Sequence, residues 1–329
     1  MMLELQERIT DLGTLRNGYI IRDGFVFAKT RHEPIFDSLV IRYPQDAIGS
    51  SIRSPISERS LAEHIHLINK HRLERAIIIC NDLSFITQCP SLNSIAVYPS
   101  LNAENEFDFS PLYKMPNIRE LYCVTTYGLK DEFHTTIDYS KIDGLCDISA
   151  GGVGQFGYEK VNTLQRLWLS GSRRHNDFST ISCSTVLEDI TVLQCSVKSL
   201  QGLDKYSRLQ QLALYHCRSL TDITALKYIS KTLRSLTIES CPKITDFSVL
   251  NDLCELEHLQ LDGNNTLPDL NFLSNMKKLK IFCFTMNVLD GNLTTCKNIP
   301  YASCKNRNHY NIKDKDLPKH LPHDDIPKE

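Results

Sequence analysis

The sequence predicts an α/β solenoid, a stack of short coils whose strands form one parallel, concave β-sheet. One apolar phrase recurs along the chain, its later copies follow one another at 22 to 24 residues, and apolar residues at three-residue steps follow several copies. We predict three parts: an N-terminal cap at 1–72 made of a β-hairpin and a helix, an array of about ten coils at 73–290, and a C-terminal cap and mobile tail at 291–329.

Residues 1–72 carry the signals of a hairpin and of a helix. In YIIRDGFVFAK at 19–29, two β-rich runs flank Asp23-Gly24, a pair that favours a tight turn. FDSLVI at 36–41 fits a degenerate first coil. The segment 57–72 predicts an amphipathic helix, with Ser57 as its N-cap and an apolar stripe of Leu61, Ile65 and Ile68.

The array is predicted from a phrase of the form apolar, two variable, apolar, one variable, apolar. Its copies are LERAII at 73, LNSIAV at 92, IRELYC at 118, LCDISA at 145, LQRLWL at 164, LEDITV at 187, LQQLAL at 209, LRSLTI at 233, LEHLQL at 256 and LKIFCF at 279. Alternating leucines predict a short strand with one apolar face. A single coil cannot bury that face, whereas stacked coils bury one another's leucines.

The second half of each unit repeats as well. An Asn or Cys follows six of the phrases, at Asn81, Cys195, Cys217, Cys241, Asn264 and Asn287. We expect these small side chains to satisfy backbone groups where the chain turns inward. Apolar residues then recur every third position, as in Leu267, Leu270 and Leu273. This spacing favours a 3₁₀ or extended return segment over a long α-helix.

The stretch 152–157, GVGQFG, matches the glycine pattern of dinucleotide-binding turns. In that fold a crossover helix follows the glycines before the next parallel strand. Here the next predicted strand starts near Arg166, which leaves no room for a helix. We therefore interpret the glycines as a tight turn with positive φ angles and expect no cofactor.

These repeats resemble leucine-rich repeat proteins. LTDITAL at 220–226 and FDFSPL at 107–112 resemble the return segment of the short-repeat internalin class, and LRSLTIESCPKITD at 233–246 resembles the cysteine-containing repeats of F-box adaptor proteins. The resemblance covers roughly 73–290 and implies a solenoid that binds other proteins. The chain departs from both groups, since we find no export signal or wall anchor like that of internalins and no F-box-like helical start.

Composition narrows the classes of partner and compartment. A net charge of -2 gives no global attraction for nucleic acid or anionic lipid, and no apolar run reaches the length of a membrane span. Twelve cysteines without any CxxC pair favour reduced, buried thiols in a cytoplasmic protein. We expect structural thiols at Cys195, Cys217 and Cys241, no metal at these residues or at the helix histidines, and a monomer apart from its partner.

The residues between the leucines define the predicted binding face. We expect them to point away from the core, onto the concave side of the sheet. Aromatic residues there are typical protein-binding anchors, and the acids outnumber the bases, which favours a basic partner and disfavours nucleic acid. The candidate partner-binding residues are Tyr98, Glu120, Tyr122, Asp147, Arg166, Trp168, Asp189, Tyr215, Glu239, His258 and Asp262.

The sequence thus predicts a non-enzymatic scaffold that recognises a protein through this face. Within that class, an acidic face without catalytic motifs suggests a bacterial immunity protein that covers a toxin's basic active site. A ubiquitin-ligase substrate adaptor is one alternative, and an enzyme whose site lies between cap and array is another. The remaining alternative is a face that is merely solvated.

Overall fold

The computed structural model describes residues 14–16, 19–28, 38–45, 54–99, 107–123, 136–151 and 154–320. The chain divides into two compact units, unit 1 up to Val161 and unit 2 from Asn162 onward. This boundary lies inside the predicted array, between two of its phrases.

Unit 1 begins with an antiparallel sheet that continues into parallel strands. The strand β3 pairs with β2 on one side and with β4 on the other, and β4 then starts the parallel order β4, β5, β6, β7 and β9. The strands are β1 (Thr14–Arg16), β2 (Tyr19–Arg22), β3 (Phe25–Ala28), β4 (Ser38–Arg42), β5 (Arg75–Cys80), β6 (Ser94–Pro99), β7 (Glu120–Cys123), β8 (Ile137–Asp138), β9 (Asp147–Gly151) and β10 (Gln155–Phe156).

The predicted hairpin and the predicted first coil are both present in unit 1. Asp23 and Gly24 adopt positive φ angles between β2 and β3, as a tight hairpin turn requires. The segment 38–41 of the predicted coil lies in β4, which pairs in parallel with β5; Phe36 and Asp37 lie outside the described residues.

Unit 2 is a stack of parallel strands in chain order. Neighbouring strands β11 to β15 pair without any shift in register, and β17 and β19 continue the sheet. The strands are β11 (Arg166–Ser170), β12 (Asp189–Leu193), β13 (Gln211–Tyr215), β14 (Ser235–Glu239), β15 (His258–Asp262), β16 (Thr266–Leu267), β17 (Ile281–Phe284), β18 (Asn287–Val288) and β19 (Tyr301–Cys304). Two short parallel pairs, β8 with β10 and β16 with β18, lie outside the main sheets.

The core of each unit is built from the repeated leucines. Along β11, β12, β14 and β15, buried residues alternate with half-buried ones. Leu167, Leu212 and Leu236 are at most 2% exposed. Burying a leucine side chain is worth roughly 2 kcal/mol relative to leaving it in water. The predicted apolar phrase therefore marks the core, and all ten copies contribute a strand.

The return segments are 3₁₀ turns, as the three-residue spacing predicts. They span Ser84–Gln88, Ser110–Lys114, Tyr139–Lys141 and Tyr158–Lys160 in unit 1, and Phe178–Thr180, Leu203–Lys205, Thr224–Ile229, Ser248–Asp252, Asn271–Asn275, Thr294–Asn298 and Asp314–Asp316 in unit 2. Aspartates accept the backbone N–H two residues later at many of these turns, for example Asp222 from Thr224 at 2.9 Å and Asp246 from Ser248 at 2.8 Å. This bond explains the TDIT and FDFS phrases.

The predicted helix forms but starts later than expected. Helix α1 spans Leu61–His71, and its N-cap is Ser60, whose hydroxyl accepts the N–H of Glu63 while the Glu63 carboxylate accepts the N–H of Ser60. Ser57 is not the N-cap; it is buried and bonds to the Gly24 carbonyl. The inward face centres on His64 and Ile68, while Leu61 and Ile65 are only half-buried.

The C-terminal region is more ordered than predicted. We expected a mobile tail over 305–329, yet residues 305–320 pack against the end of the array, with Tyr310 and Leu317 buried. Residues 318–320 run along the outer edge of β19, where Ala302 N–H donates to the Pro318 carbonyl at 2.9 Å and His320 N–H to the Pro300 carbonyl at 3.0 Å. Residues 321–329 lie outside the described part.

Candidate functional site

The variable residues of unit 2 form three rows across its sheet, which we call the unit 2 face. The register places equivalent residues of successive coils side by side, so that Trp168 pairs with Thr191, and Thr191 with Ala213. The rows are Arg166, Asp189, Gln211, Ser235 and His258; Trp168, Thr191, Ala213, Thr237 and Gln260; and Ser170, Leu193, Tyr215, Glu239 and Asp262. All of them are at least partly exposed, so the expected outward orientation holds for these five strands, whereas the candidate Asp147 of unit 1 is buried.

The apolar part of the unit 2 face lies on its first three strands. Trp168 stands beside the small side chains of Thr191 and Ala213, and Leu193 and Tyr215 occupy the adjacent row. Each of these side chains is half-buried. The large side chains of Trp168, Leu193 and Tyr215 thus adjoin the small side chains of Thr191 and Ala213 on the exposed side of the sheet.

The acids of the unit 2 face have polar or basic neighbours within the protein. The Glu239 carboxylate lies 3.6 Å from His216 Nε2, and the Asp262 carboxylate accepts a hydrogen bond from Gln260 Nε2 at 2.7 Å. Arg166 and Asp189 are direct neighbours in the register. His258 Nε2 is buried and has no hydrogen-bond partner among the described residues.

In unit 1, Tyr98 is part of an apolar cluster with the hairpin. Together with Tyr19, Ile21 and Ile77, it packs against a buried group of residues from β3, β4 and β5, namely Val26, Ala28, Val40 and Ile79. Tyr98 therefore has a packing role that its position in the repeat does not reveal.

The other candidate residues of unit 1 bond to one another. Ser94 Oγ donates to the Glu120 carboxylate at 2.8 Å, and Arg75 lies 3.5 Å from the same group. The Tyr122 hydroxyl donates to Asp147 Oδ2 at 2.9 Å, and Asp147 is only 4% exposed. These two carboxylates are therefore satisfied within the unit, which leaves fewer free acids for a partner than we predicted.

Buried cysteines line the turns that follow β12, β13 and β14. The thiols of Cys195, Cys217 and Cys241 donate to carbonyls of the preceding strand, at Leu169 (3.5 Å), Val192 (3.7 Å) and Leu214 (3.6 Å). Burial raises the pKa of Cys195 to about 11, so the thiol keeps its proton at neutral pH. The column serves to satisfy backbone groups.

The next coil uses an asparagine in the same role, but not the predicted one. Asn265 is buried and its Nδ2 donates to the carbonyls of Cys241 (3.1 Å) and Ile244 (2.8 Å). Asn264 is exposed. The prediction of Asn264 was wrong by one residue because Gly263 lengthens this turn. The repeated strands, 3₁₀ returns and buried Cys or Asn together complete the repeat unit. The chain has a leucine-rich repeat fold.

The predictions for Asn81 and Asn287 also differ from the structure. Asn81 is exposed, because β5 continues to the buried Cys80. Asn287 is half-buried and Met286 takes the buried position before it. In both coils, an apolar or sulfur-containing side chain therefore takes the buried position that Cys195, Cys217 and Cys241 occupy in their own coils.

The glycine-rich stretch is a turn of the repeat, as expected. Gly154 and Gly157 have positive φ angles, and a 3₁₀ turn rather than a helix follows Gly157; Gly152 and Val153 lie outside the described residues. A Cβ on Gly157 would lie 2.9 Å from the Ser140 backbone nitrogen. Sequence reasoning missed Gln155, whose buried side-chain amide accepts a hydrogen bond from the Tyr139 hydroxyl at 2.7 Å and donates one to the Cys123 carbonyl at 3.2 Å.

Titratable groups elsewhere do not assemble into a metal site within the described part of the chain. No three His, Cys, Asp or Glu side chains there are placed to hold one ion. His64 is fully buried against Phe25 and Tyr43, and its ring nitrogens contact Ser57 Oγ (3.0 Å) and the Ser60 carbonyl (2.8 Å). None of the helices in the described residues has the length and apolar character needed to cross a bilayer.

Comparison with known proteins finds relatives in sequence and in structure. No protein-family model matches the chain. A curated protein of Trypanosoma equiperdum, named "Putative adenylate cyclase regulatory protein", is 29% identical over 153 residues. The match covers 44% of this chain and 24% of that protein, so this chain spans about a quarter of the curated relative's length.

Two solved internalins of Listeria monocytogenes are similar in structure. The functional domain of one, which includes a cysteine ladder, has 17% identity and a TM-score of 0.49, and the match covers 69% of this chain and 46% of that one. Another internalin has 16% identity and a TM-score of 0.40, with 70% and 82% covered. The leucine-rich repeat fold is assigned from the strands, the 3₁₀ turns and the buried Cys and Asn side chains described above.

Proposed function

We propose that this protein is a non-enzymatic scaffold that binds a protein partner through the unit 2 face, with Trp168 as the main anchor. The supporting observation is the register that sets Trp168, Leu193 and Tyr215 around the small side chains of Thr191 and Ala213. Large aromatic residues supply much of the affinity of typical protein interfaces.

The partner's chemistry follows from the residues around Trp168. Asp189 lies in the row on one side of Trp168, and Glu239 follows Tyr215 in the row on the other side. A partner that inserts an apolar side chain beside Trp168 and carries basic residues at the rim would match both features. Such rim charges orient a partner and raise the association rate more than they raise affinity.

The proposal is tested by comparing Trp168→Ala with the matched control Tyr228→Ala. Tyr228 is 61% exposed on the 3₁₀ turn Thr224–Ile229, away from the unit 2 face. The full chain captures its partner from native lysate, and the affinity of the purified partner is then measured by titration calorimetry. We expect Trp168→Ala to weaken binding by at least tenfold and Tyr228→Ala to leave it unchanged.

Thermal unfolding of both variants separates binding from folding. Trp168 is half-buried rather than part of the core, so its removal is expected to leave the unfolding midpoint near the wild-type value. Equal affinity of the Trp168 variant and the wild type would refute the proposal, and so would a variant that unfolds.

We further propose a toxin-neutralising role in the cytosol as the specific form of this function. The acids Asp189, Glu239 and Asp262 on the unit 2 face support a basic partner, and the twelve cysteines, which form no disulfide in the described part of the chain, support a reducing compartment. The alternative adaptor role would need a docking helix within 1–72. Helix α1 instead turns Ile68 inward and exposes Glu63, His66 and Lys70, so it does not favour that role. Loss of the captured protein's enzymatic activity on binding is the expected result.

A further inference from the structure

We propose that unit 2 also holds a binding site for a short zwitterionic peptide, at the far end of its face from Trp168. A cavity of about 350 Å³ opens where the strands β14, β15, β17 and β19 end. Its charged lining consists of Glu239 and Asp262 on one side and Lys305 and Arg307 on the other, with Thr285 between them. This volume lies within the range of small-molecule sites.

The repeat itself assembles this cavity. Glu239 and Asp262 are register partners at the ends of β14 and β15. Thr285 follows β17, and Lys305 follows β19, so the equivalent positions change from acidic to basic over four coils. Gly263, with φ 136°, lengthens the turn after β15 in a conformation that side chains disfavour, and its N–H is held by Thr285 Oγ1 at 2.9 Å.

The opposite charges in this cavity do not neutralise one another. Among the described residues, no ion pair joins Glu239 or Asp262 to Lys305 or Arg307. Arg307 instead donates from one terminal nitrogen to the Thr285 carbonyl at 3.1 Å, and its Nε is buried without a partner. Separated charges of both signs around one cavity complement a ligand that carries both a cation and an anion.

The spacing of the coils sets the length of that ligand. Three strand spacings, about 14 Å, separate the backbones at Glu239 and Lys305. Asp262 lies one strand closer to Lys305, at two strand spacings or about 10 Å. A free amino acid, with its two charges about 3 Å apart, is too short to reach both sides, whereas a peptide of two or three residues spans roughly 7–10 Å between its termini. Its ammonium group would face Glu239 and Asp262, and its carboxylate Lys305 and Arg307.

Triglycine is the probe that tests this site, titrated into the full chain by calorimetry and amide chemical shifts. N-acetyltriglycine and triglycine amide each lack one charge and serve as matched ligands. We expect saturable binding of triglycine, with changes at Gly263 and Thr285, and a loss of about tenfold or more for each capped peptide. Free glycine is expected to bind more weakly than triglycine.

Two variants assign each end of the peptide to its side of the cavity. Lys305→Gln is expected to bind triglycine and triglycine amide with equal affinity. Asp262→Asn is expected to bind triglycine and N-acetyltriglycine with equal affinity. Equal binding of capped and uncapped peptides, or no saturation by about 10 mM triglycine, would overturn the proposal. Neither outcome bears on the Trp168 test, because the two experiments use different residues and ligands.

Discussion

At the residue scale, one buried amide decides whether a repeat turn is satisfied. Asn265 donates to two carbonyls of the preceding coil, in the position that Cys217 and Cys241 fill in their own coils. The sequence predicts that an Asn serves here, because the period marks the place. It does not distinguish Asn265 from Asn264, since a glycine insertion shifts the turn by one residue without disturbing the leucines on either side.

The pair Asn265→Ala and Asn264→Ala tests this assignment. Replacing Asn265 leaves the Ile244 carbonyl without its donor and the Cys241 carbonyl with only the Ile244 N–H at 3.3 Å, and we expect a loss of about 2 kcal/mol in the free energy of unfolding. Replacing the exposed Asn264 is expected to change it by less than about 0.5 kcal/mol. Urea unfolding followed by circular dichroism measures both free energies. Equal effects would show that Asn265 does not occupy the position equivalent to Cys217 and Cys241.

At the element scale, helix α1 differs from its prediction in the residues that hold it. The apolar stripe and the helix itself follow from the sequence pattern, but a histidine on a polar-looking face gives no sign of burial. In the structure His64 is fully buried because Ser57, Ser60 and Tyr43 offer it hydrogen-bond partners. Those partners come from segments that the helical period does not describe, which is why the sequence pattern predicts Ser57 rather than Ser60 as the N-cap.

This burial makes the stability of the protein depend on pH. Burial lowers the pKa of His64 below its ordinary value of 6.5, although the hydrogen bond to the Ser60 carbonyl and the charge of Glu63 oppose this shift. As the pH falls below 6.5, His64 of the unfolded chain binds a proton, whereas His64 of the folded chain stays neutral to a lower pH. The contribution of His64 to stability is therefore present above pH 6.5 and is lost on acidification.

Comparing His64→Gln with His66→Gln isolates this effect. His66 lies two residues away on the exposed side of α1. We expect the urea midpoints of the wild type and of His66→Gln to be lower at pH 5.5 than at pH 7.5. For His64→Gln we expect a smaller decrease. A His64 variant with the wild-type pH dependence would contradict the assignment.

At the scale of the whole molecule, the period carries most of what the sequence predicts. It gives every strand of the array, the 3₁₀ returns and the three rows of the unit 2 face, because each coil repeats the same constraints. It does not predict features that occur only once in the chain, such as the packed region after Leu289 and the basic residues Lys305 and Arg307. It also misses the charge pairing in unit 1, where Glu120 finds Arg75 two strands away.

The C-terminal cap offers a test of how locally such a stack is stabilised. Tyr310 is buried, its ring lies near Phe284, and its hydroxyl bonds the Val288 N–H at 3.0 Å and the Met286 carbonyl at 3.2 Å. Removing only that hydroxyl in Tyr310→Phe should cost about 1–2 kcal/mol. Because each coil contacts mainly its neighbours, hydrogen exchange should increase most around 281–288 and least at β11.

A Tyr228→Phe variant is the control for this experiment, since that ring is exposed on a return turn. Its exchange pattern is expected to match the wild type. Uniform acceleration across unit 2 in Tyr310→Phe would show that the stack unfolds as one cooperative block.

Residues 318–320 have a consequence for self-association. The outermost strand of a parallel stack would otherwise present free peptide groups to any copy of the same protein, and head-to-tail addition there would grow a fibre. In this protein the chain's own Pro318 and His320 already occupy that margin of β19. Strand addition at this edge of β19 is therefore blocked, so a second copy cannot extend the sheet there into a filament.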